Sequence, residues 1–319
     1  MGYGVKANLD FHHVTSEFDY YIYTNSEGFR TSTTREEYPA KTDNSRFRVL
    51  LLGPSFAFGW GVNHQDTFAH QLQNSLTVRQ FAPGQEIEVI NAGVPAMQAA
   101  NQLNWFDRYG YKYSPDLVIQ FVYGGMWLTD VMNHSSEVDS EGYLISANRP
   151  PSERLRSFLK NFAIVHYGWV VSTSLTPNSD SRVEGAGRPL EEQPHFNPED
   201  EGTRGAMSFY NHLSNSVSAN KSKLLVVHFP LSYVVHRQDM IRWRHLGVGD
   251  VDTQIVVNDR FCGYLNQVAI PCLNITRDLI DGAAVSDTRL YYWLDIHWTV
   301  KGNHIAAEAV ARHLTKDQD

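Results

Sequence analysis

The stretch RVLLLGPSF, residues 48–56, decides the fold of this chain. Its apolar residues 49–52 stop at Gly53, and Ser55 follows two positions later. A short apolar run bounded by a glycine is typical of a buried strand, and the residues just beyond it are typical of a turn. The stretch therefore predicts a buried strand that delivers a serine to one edge of a sheet.

The same pattern recurs along the chain and predicts the fold class. Further apolar runs occupy residues 87–91, 117–123, 223–229 and 268–273. Helical patterns lie between the runs: one that Asp66 could cap, then 99–109, 202–219 and 253–267, and a last one that begins near Thr299. Several runs are too continuously apolar for a sheet with one wet face, which favours strands covered on both sides. Strands that alternate with helices predict an α/β fold, a three-layer doubly wound sandwich around a parallel five-stranded sheet.

Two segments depart from this alternation. Residues 1–45 are polar and aromatic, and we expect them to form an N-terminal extension that packs on the main domain, residues 46–319. Residues 124–205 form an insertion between the third and fourth strands, with a turn-rich piece, an amphipathic helix and a long loop. The insertion is either a lid over a site or a surface decoration.

The composition excludes several classes of function. The chain has 319 residues and a net charge of −8, and it contains no run of lysine and arginine. We therefore expect no nucleic-acid partner. No stretch approaches the roughly 20 apolar residues that span a bilayer, and the first residues lack the apolar segment of a signal peptide.

The two cysteines, Cys262 and Cys272, leave the redox state open. Our first interpretation is a pair of buried thiols, and neither cysteine lies in a metal-binding spacing. The alternative is a disulfide that ties a helix to the following strand, which would indicate an oxidising compartment.

Residues with catalytic potential follow the strands at one edge of the predicted sheet. Ser55 follows the first strand, Gly93 the second and Gly124 the third, and the loop of Asp295 and His297 follows the fifth. Ligands of such sheets bind at the carboxyl ends of the strands, so these residues should share one site. Taken alone, Ser55 could simply cap a helix, and Asp295 and His297 could be a solvated pair.

Together, these three residue types suit nucleophilic catalysis. A serine needs a base within hydrogen-bonding reach, and the base needs a carboxylate that fixes its tautomer. Asp295 and His297 are two positions apart, so in an extended loop their side chains point the same way. The carboxylate can then reach one ring nitrogen while the other faces Ser55.

These motifs resemble the SGNH (GDSL-type) hydrolase superfamily, in a bacterial branch. The resemblance rests on YTNSEGFR at 23–30, LGPSFAFGWGV at 52–62 and DIHWTVKGNH at 295–304. It implies a flavodoxin-like sheet with Ser55 as nucleophile and oxyanion donor, Gly93 as second donor, His297 as base and Asp295 as its orienter. The implied activity is that of a serine esterase, which forms an acyl-enzyme on an O-acyl ester and uses no cofactor or metal. O-acetyl carbohydrate is one candidate substrate.

Two positions depart from the family pattern. Pro54 stands where the family has aspartate, and Met126 stands where an asparagine donates to the oxyanion. Losing one oxyanion donor typically costs ~10²–10³ in turnover. An O-acyltransferase and a non-catalytic binding module therefore stay as alternatives. A side chain such as Asn91, Gln98 or Asn101 could replace the missing donor.

Aromatic residues near the predicted site indicate a small-molecule or carbohydrate ester as the partner. They are Trp60, Tyr123, Trp127 and Trp298. They could stack on a sugar or line an acyl pocket, and each could equally be a core residue. A metal site of Asp295, His297 and His304 is not expected, because His304 should lie on the surface of the last helix. The oligomeric state and the compartment stay open; an exported or periplasmic protein whose leader or anchor lies outside this chain is one alternative.

Overall fold

A parallel sheet forms the centre of the structure, a computed structural model that describes residues 4–124, 136–138, 144–146, 201–243 and 250–316. The strands are β1 (Asp10–Val14), β2 (Asp19–Thr24), β3 (Arg30–Thr31), β4 (Arg46–Leu52), β5 (Glu86–Asn91), β6 (Leu117–Tyr123), β7 (Ser136–Val138), β8 (Leu144–Ser146), β9 (Lys223–Phe229) and β10 (Cys272–Asn274). The helices are α1 (Ser55–Phe58), α2 (Phe68–Val78), α3 (Ala99–Arg108), α4 (Glu201–Ala219), α5 (Ser232–Val235), α6 (Met240–Trp243), α7 (Val251–Gln267), α8 (Thr276–Val285) and α9 (Val300–Lys316).

The order of the strands in the central sheet indicates where a ligand would bind. The central sheet has five strands in the order β10-β9-β6-β4-β5, and every neighbouring pair is parallel. The chain runs from β4 to β5 at one edge and then crosses back to β6 on the other side of β4. A doubly wound sheet binds its ligands where the strand order reverses in this way. The predicted fold class is confirmed, and the reversal lies beside β4, the strand that precedes Ser55.

The apolar residues 49–52 of β4 contribute to two separate hydrophobic cores, one on each face of the sheet. Leu50 and Leu52 pack into the layer that includes α3, α4 and α7, whereas Val49 and Leu51 pack into the layer that includes α2, α8 and α9. All four side chains are fully buried. Because alternate side chains of a strand point to opposite faces, a strand covered on both sides must be apolar at every position. This is why the run is continuous rather than alternating.

The N-terminal segment forms a second sheet that packs beside α1. Strands β1, β2 and β3 are antiparallel, and the inner face of β2 packs on Phe58. Arg30 is fully buried below this face, and its guanidinium donates to the carbonyls of Tyr21 (2.7 Å) and Val62 (3.1 Å). Its charge also lies over the ring of Phe58. Burial lowers the pKa of Arg30 to about 10, so it stays charged at neutral pH.

Two predicted boundaries are wrong for local reasons. The fifth strand covers Cys272–Asn274 rather than 268–273, because Val268 closes α7 and Ala269 adopts a left-handed φ of 60°. The N-cap of α2 is Thr67 rather than Asp66, and its side chain accepts the N–H of His70. Asp66 instead ends a short 3-10 turn that begins at His64.

One helix was not predicted. Helix α8 lies between β10 and the loop of Asp295 and His297, so this loop does not follow the fifth strand directly. Its apolar residues Ile280, Ala283 and Ala284 are interrupted by Asp281 and Gly282, which weakens a helical pattern. The close approach of Gly282 to Ile305 of α9 explains the glycine, since a Cβ there would lie 2.7 Å from the Ile305 side chain.

The two cysteines form a disulfide between α7 and β10. Their Cα atoms lie 5.0 Å apart, and both side chains are buried. The interpretation as two buried thiols is therefore wrong, and the alternative describes the structure.

Most of the predicted insertion lies outside the described residues. Within it, β7 and β8 form an antiparallel pair. Residues 201–205 belong to α4. The remaining parts, including the predicted amphipathic helix, lie outside the described residues. In the portion of the chain that the structure describes, no helix has the length and apolarity needed to cross a bilayer.

Candidate active site

Ser55 is the first residue of α1, immediately beyond the carboxyl end of β4. Pro54 occupies the N-cap position with extended backbone, and its carbonyl accepts the N–H of Phe58 at 3.1 Å. Gly53 makes the tight exit from the strand possible, because a Cβ there would lie 2.7 Å from the side chains of both Ala57 and Phe121. The turn thus presents Ser55, half-buried, at the point where the strand order reverses.

Ser55, His297 and Asp295 form a continuous line of hydrogen bonds. The Nε2 atom of His297 lies 2.5 Å from Oγ of Ser55. The other ring nitrogen, Nδ1, is hydrogen-bonded to Oδ1 of Asp295. The same carboxylate oxygen accepts the backbone N–H of His297 at 2.8 Å. The structure thus brings the three predicted residues together, with the carboxylate and the serine on opposite nitrogens of one imidazole.

The environment keeps Asp295 ionised. Its burial by itself favours the neutral acid, but the bonds that it accepts from the ring and backbone of His297, together with its electrostatic interaction with that residue, outweigh this cost. The pKa of Asp295 is therefore lowered. An ionised carboxylate at this place stabilises the imidazolium that forms when a histidine takes a proton from a serine.

Two aromatic rings confine the imidazole. Phe56 lies with its ring centre 4.8 Å from that of His297, and Trp60 lies 5.9 Å from it. Both residues belong to the segment that begins at Ser55, so one short piece of chain supplies the serine and two rings that pack beside the imidazole. His297 is only 9% exposed, which restricts its ring to few orientations.

Known proteins resemble this chain in fold and not in sequence. The sequence matches no protein-family model and no curated protein sequence. Among solved structures, similar folds include a protein described as lipolytic and of the G-D-S-L family from Desulfitobacterium hafniense (16% identity, TM-score 0.44, 84% of this chain and 99% of that chain). An acetylxylan esterase from Geobacillus stearothermophilus is also similar (10% identity, TM-score 0.43, 87% and 96%). So is a psychrotrophic esterase from Pseudoalteromonas sp. (12% identity, TM-score 0.41, 86% and 99%). At these identities the similarity is one of fold.

Gly93 lies beside the serine turn, but its N–H already has a partner. A Cβ at Gly93 would lie 2.4 Å from the backbone nitrogen of Phe58, so only glycine fits. Its N–H donates to Oδ1 of Asn91 at 3.1 Å, and the amide of Asn91 donates to the carbonyl of Ala57 at 2.8 Å. Asn91 is therefore engaged in holding the two turns together and is not a free donor. The other two candidates, Gln98 at the N-cap of α3 and Asn101 within it, are half-buried.

The predicted aromatic residues have different places. Trp298 is 1% exposed and packs among Phe56 and Phe229, so its ring is part of the core and offers no face to a substrate. Tyr123 is partly buried at the end of β6, with its ring 5.7 Å from that of Phe56. Met126 and Trp127 lie outside the described residues.

Three residues near the line of hydrogen bonds were missed by the sequence analysis. Glu17 binds the backbone of the loop that carries Asp295. Tyr292 donates its hydroxyl to the carbonyl of Gly61 at 2.8 Å, which links this loop to the serine segment. His13 contacts Trp60, and burial lowers its pKa although the charge of Asp295 opposes the change. All three belong to contacts between distant segments, for which the sequence contains no local signal.

His304 does not belong to this site. It is exposed on α9, as expected, and its Nδ1 lies 3.2 Å from the side-chain oxygen of Gln71 on α2. Within the described ranges, no three histidine, cysteine, aspartate or glutamate side chains come together in a way that could hold a metal ion.

Proposed function

We propose that this chain is a serine esterase that cleaves an O-acyl ester through an acyl-enzyme. Oγ of Ser55 attacks the acyl carbonyl while Nε2 of His297 takes the hydroxyl proton. The tetrahedral intermediate collapses, the protonated imidazole gives that proton to the leaving alcohol, and the acyl group stays on Ser55. A water molecule then repeats the sequence with the same base and releases the acid.

The observation that carries this proposal is the hydrogen-bonded line from Asp295 through His297 to Ser55. A serine hydroxyl is a weak nucleophile at neutral pH and needs a base within about 2.6–3.2 Å. Here the base nitrogen lies at 2.5 Å, and its opposite nitrogen is bonded to an ionised carboxylate. A helix-capping serine or a solvated acid–histidine pair, the two simpler interpretations, requires neither contact.

The oxyanion would be held by backbone N–H groups of Ser55 and Gly93, as the family resemblance implies. The N–H of Gly93 would have to share its hydrogen with Asn91, which now accepts it. A shared donor stabilises a developing negative charge less than a free one does. We therefore propose a slow esterase. The same observation favours, as the second candidate, a binding module that holds an ester without turning it over.

The substrate class that we propose is a small ester, with O-acetyl carbohydrate as the first candidate. Trp60 supports this choice, because its ring is only partly buried and lies beside the imidazole. An aromatic face of this kind can stack on a sugar ring. An O-acyltransferase would use the same acyl-enzyme and differ only in the second step, where an acceptor alcohol replaces water.

A serine-reactive fluorophosphonate probe tests the proposal. We expect covalent labelling of the wild-type chain, loss of labelling in Ser55→Ala, and unchanged labelling in Ser45→Ala. Ser45 is a suitable control because its side chain is exposed just before β4 and donates a hydrogen bond to Asp43. Labelling together with turnover of p-nitrophenyl acetate or acetylated sugars supports the esterase. Labelling that persists in Ser55→Ala, or none at any dose, contradicts it.

A further inference from the structure

Glu17 accepts three consecutive backbone N–H groups from the loop that carries Asp295. Its Oε1 lies 2.6 Å from the nitrogen of Trp293, and its Oε2 lies 2.7 Å from the nitrogens of Leu294 and Asp295. Successive N–H groups that point to one side form a concave site for a negative charge. Hydrogen bonds to a carboxylate are roughly twice as strong as neutral ones.

Glu17 is itself held in place from the N-terminal sheet. It lies in the turn between β1 and β2, where Thr15 Oγ1 accepts the N–H groups of Glu17 and Phe18, each at 3.2 Å. The turn is closed by a bond of 2.8 Å from the N–H of Thr15 to the carbonyl of Phe18. Phe18 packs its ring against Tyr292, the residue just before the bound loop. The carboxylate therefore reaches the loop from a fixed turn.

The last of the three hydrogen bonds to Glu17 comes from Asp295, the residue that orients His297. The N–H of Asp295 binds Glu17, and its side chain binds both the ring and the backbone of His297. We infer that Glu17 is a positioning residue for catalysis, which fixes the backbone of Asp295 and so the aim of His297 at Ser55; this inference rests on the proposed esterase function. Glu17 touches neither the serine nor the histidine, so it acts only through Asp295.

The charges around the loop fit this role. Burial, followed by the negative charges of Asp295 and Glu17, raises the pKa of Tyr292 to about 12. Tyr292 thus stays protonated and keeps its bond to Gly61. Glu17 and Asp295 are like charges, and the three N–H dipoles that point at Glu17 offset their repulsion.

Steady-state kinetics of the full chain with p-nitrophenyl acetate tests the inference. The variants are Glu17→Gln, which keeps one acceptor oxygen, Glu17→Ala, which keeps none, and Asp19→Asn as control. Asp19 is an exposed acid of the same sheet, and its side chain pairs with His12. Misplacing a catalytic group by about 1 Å costs ~10²-fold. We therefore expect kcat to fall ~10–100-fold in Glu17→Ala and less in Glu17→Gln, with KM within about twofold and Asp19→Asn unchanged.

A double-variant cycle separates positioning from general stability. If Glu17 acts through Asp295, the change Glu17→Ala should lower kcat by less than about threefold when Asp295 is already asparagine. The effects of two residues that act as a unit are not additive. The same relative loss in both backgrounds overturns the inference. So does wild-type kcat in both Glu17 variants when thermal melting shows them folded.

The proposed function and this inference fail in different ways. A wild-type chain with neither turnover nor Ser55-dependent labelling overturns the esterase and, with it, the role of Glu17. A wild-type chain that turns over ester while Glu17→Ala matches it overturns the role of Glu17 alone. If Glu17→Ala does not fold, the isosteric Glu17→Gln decides the question by the same comparison.

Discussion

Oγ of Ser55 and Nε2 of His297 lie 2.5 Å apart although 242 positions separate them in the chain. Ser55 is held by the exit of β4, and His297 is held by the segment that leads into α9. The two meet because β4 lies inside the sheet, between β6 and β5, with α9 packed against the same face as Val49 and Leu51. The contact is therefore a property of the whole fold.

Replacing Asp295 by asparagine should abolish most turnover without unfolding the chain. The amide cannot stabilise the imidazolium and can hold the ring in the wrong tautomer, which in a Ser-His-Asp triad lowers kcat by about 10⁴. Asp287→Asn, an exposed acid on the approach to the same loop, is the matched control and should be neutral. Measured kcat within tenfold of wild type in Asp295→Asn would count against the triad.

Alanine variants of Trp298 and Trp60 should differ in whether they lose stability or activity. Trp298 is 1% exposed, so Trp298→Ala should cost about 3–5 kcal/mol of unfolding free energy, measured by urea denaturation. Trp60 is only partly buried and contacts His297, so Trp60→Ala should cost clearly less stability and alter KM or kcat. Equal losses of stability in the two variants would show that Trp60 is a core residue as well.

Stability should fall as the pH drops from about 6.5 to about 4, partly because of His228. This residue is fully buried, and burial lowers its pKa to about 4. The unfolded chain then binds a proton that the folded chain does not, so unfolding becomes easier as pH falls through this window and levels off below it. At about 1.4 kcal/mol per pH unit, the loss is on the order of 3 kcal/mol.

Urea denaturation at several pH values, for wild type and His228→Gln, checks this. Glutamine can still donate to the carbonyl of Gly124, which His228 contacts through Nε2 at 3.1 Å. The unfolding free energy of His228→Gln should depend less on pH than that of the wild type. Some dependence should remain, because burial also lowers the pKa of His64 to about 4. Identical slopes in the two proteins would contradict the assignment to His228.

Removing the disulfide should destabilise the chain moderately. Cys262 and Cys272 are ten positions apart. Chain-entropy arguments give about 2–3 kcal/mol for closing so short a loop. The double variant Cys262→Ser with Cys272→Ser should show this loss in urea, and dithiothreitol should lower the stability of the wild type but not of the double variant. Equal sensitivity of both proteins to the reductant would indicate that the bond does not form in solution.

The fold was predictable because one physical requirement shapes many residues at once. Strands buried on both faces must be apolar throughout, and four of the five strands of the parallel sheet follow their apolar runs to within about two residues. Prediction failed where a backbone detail decided the outcome. Val268 and Ile270 are as apolar as strand residues, but the left-handed turn at Ala269 uses them to end α7.

Only those features of the site that depend on residues close together in the sequence could be predicted. The spacing of Asp295 and His297 indicates that one carboxylate can reach one imidazole, and the strand end indicates where Ser55 stands. Nothing local indicates Glu17, an acidic residue in a polar turn like many others. Nor does the sequence indicate that Asn91 occupies the N–H of Gly93, since this depends on how two neighbouring turns dock.

The hydrogen bonds that run from Glu17 to Ser55 also bear on the order in which the chain folds. They join segments 242 to 278 positions apart, whereas β4 and β5 pair across a connection of a few dozen residues. Closing longer loops costs more entropy, and contacts of this range form slowly. Helical circular dichroism should therefore recover before esterase activity when the protein refolds from urea. A chain arrested between the two stages would carry Ser55 without His297 beside it, so the proposed chemistry would begin only when folding is complete.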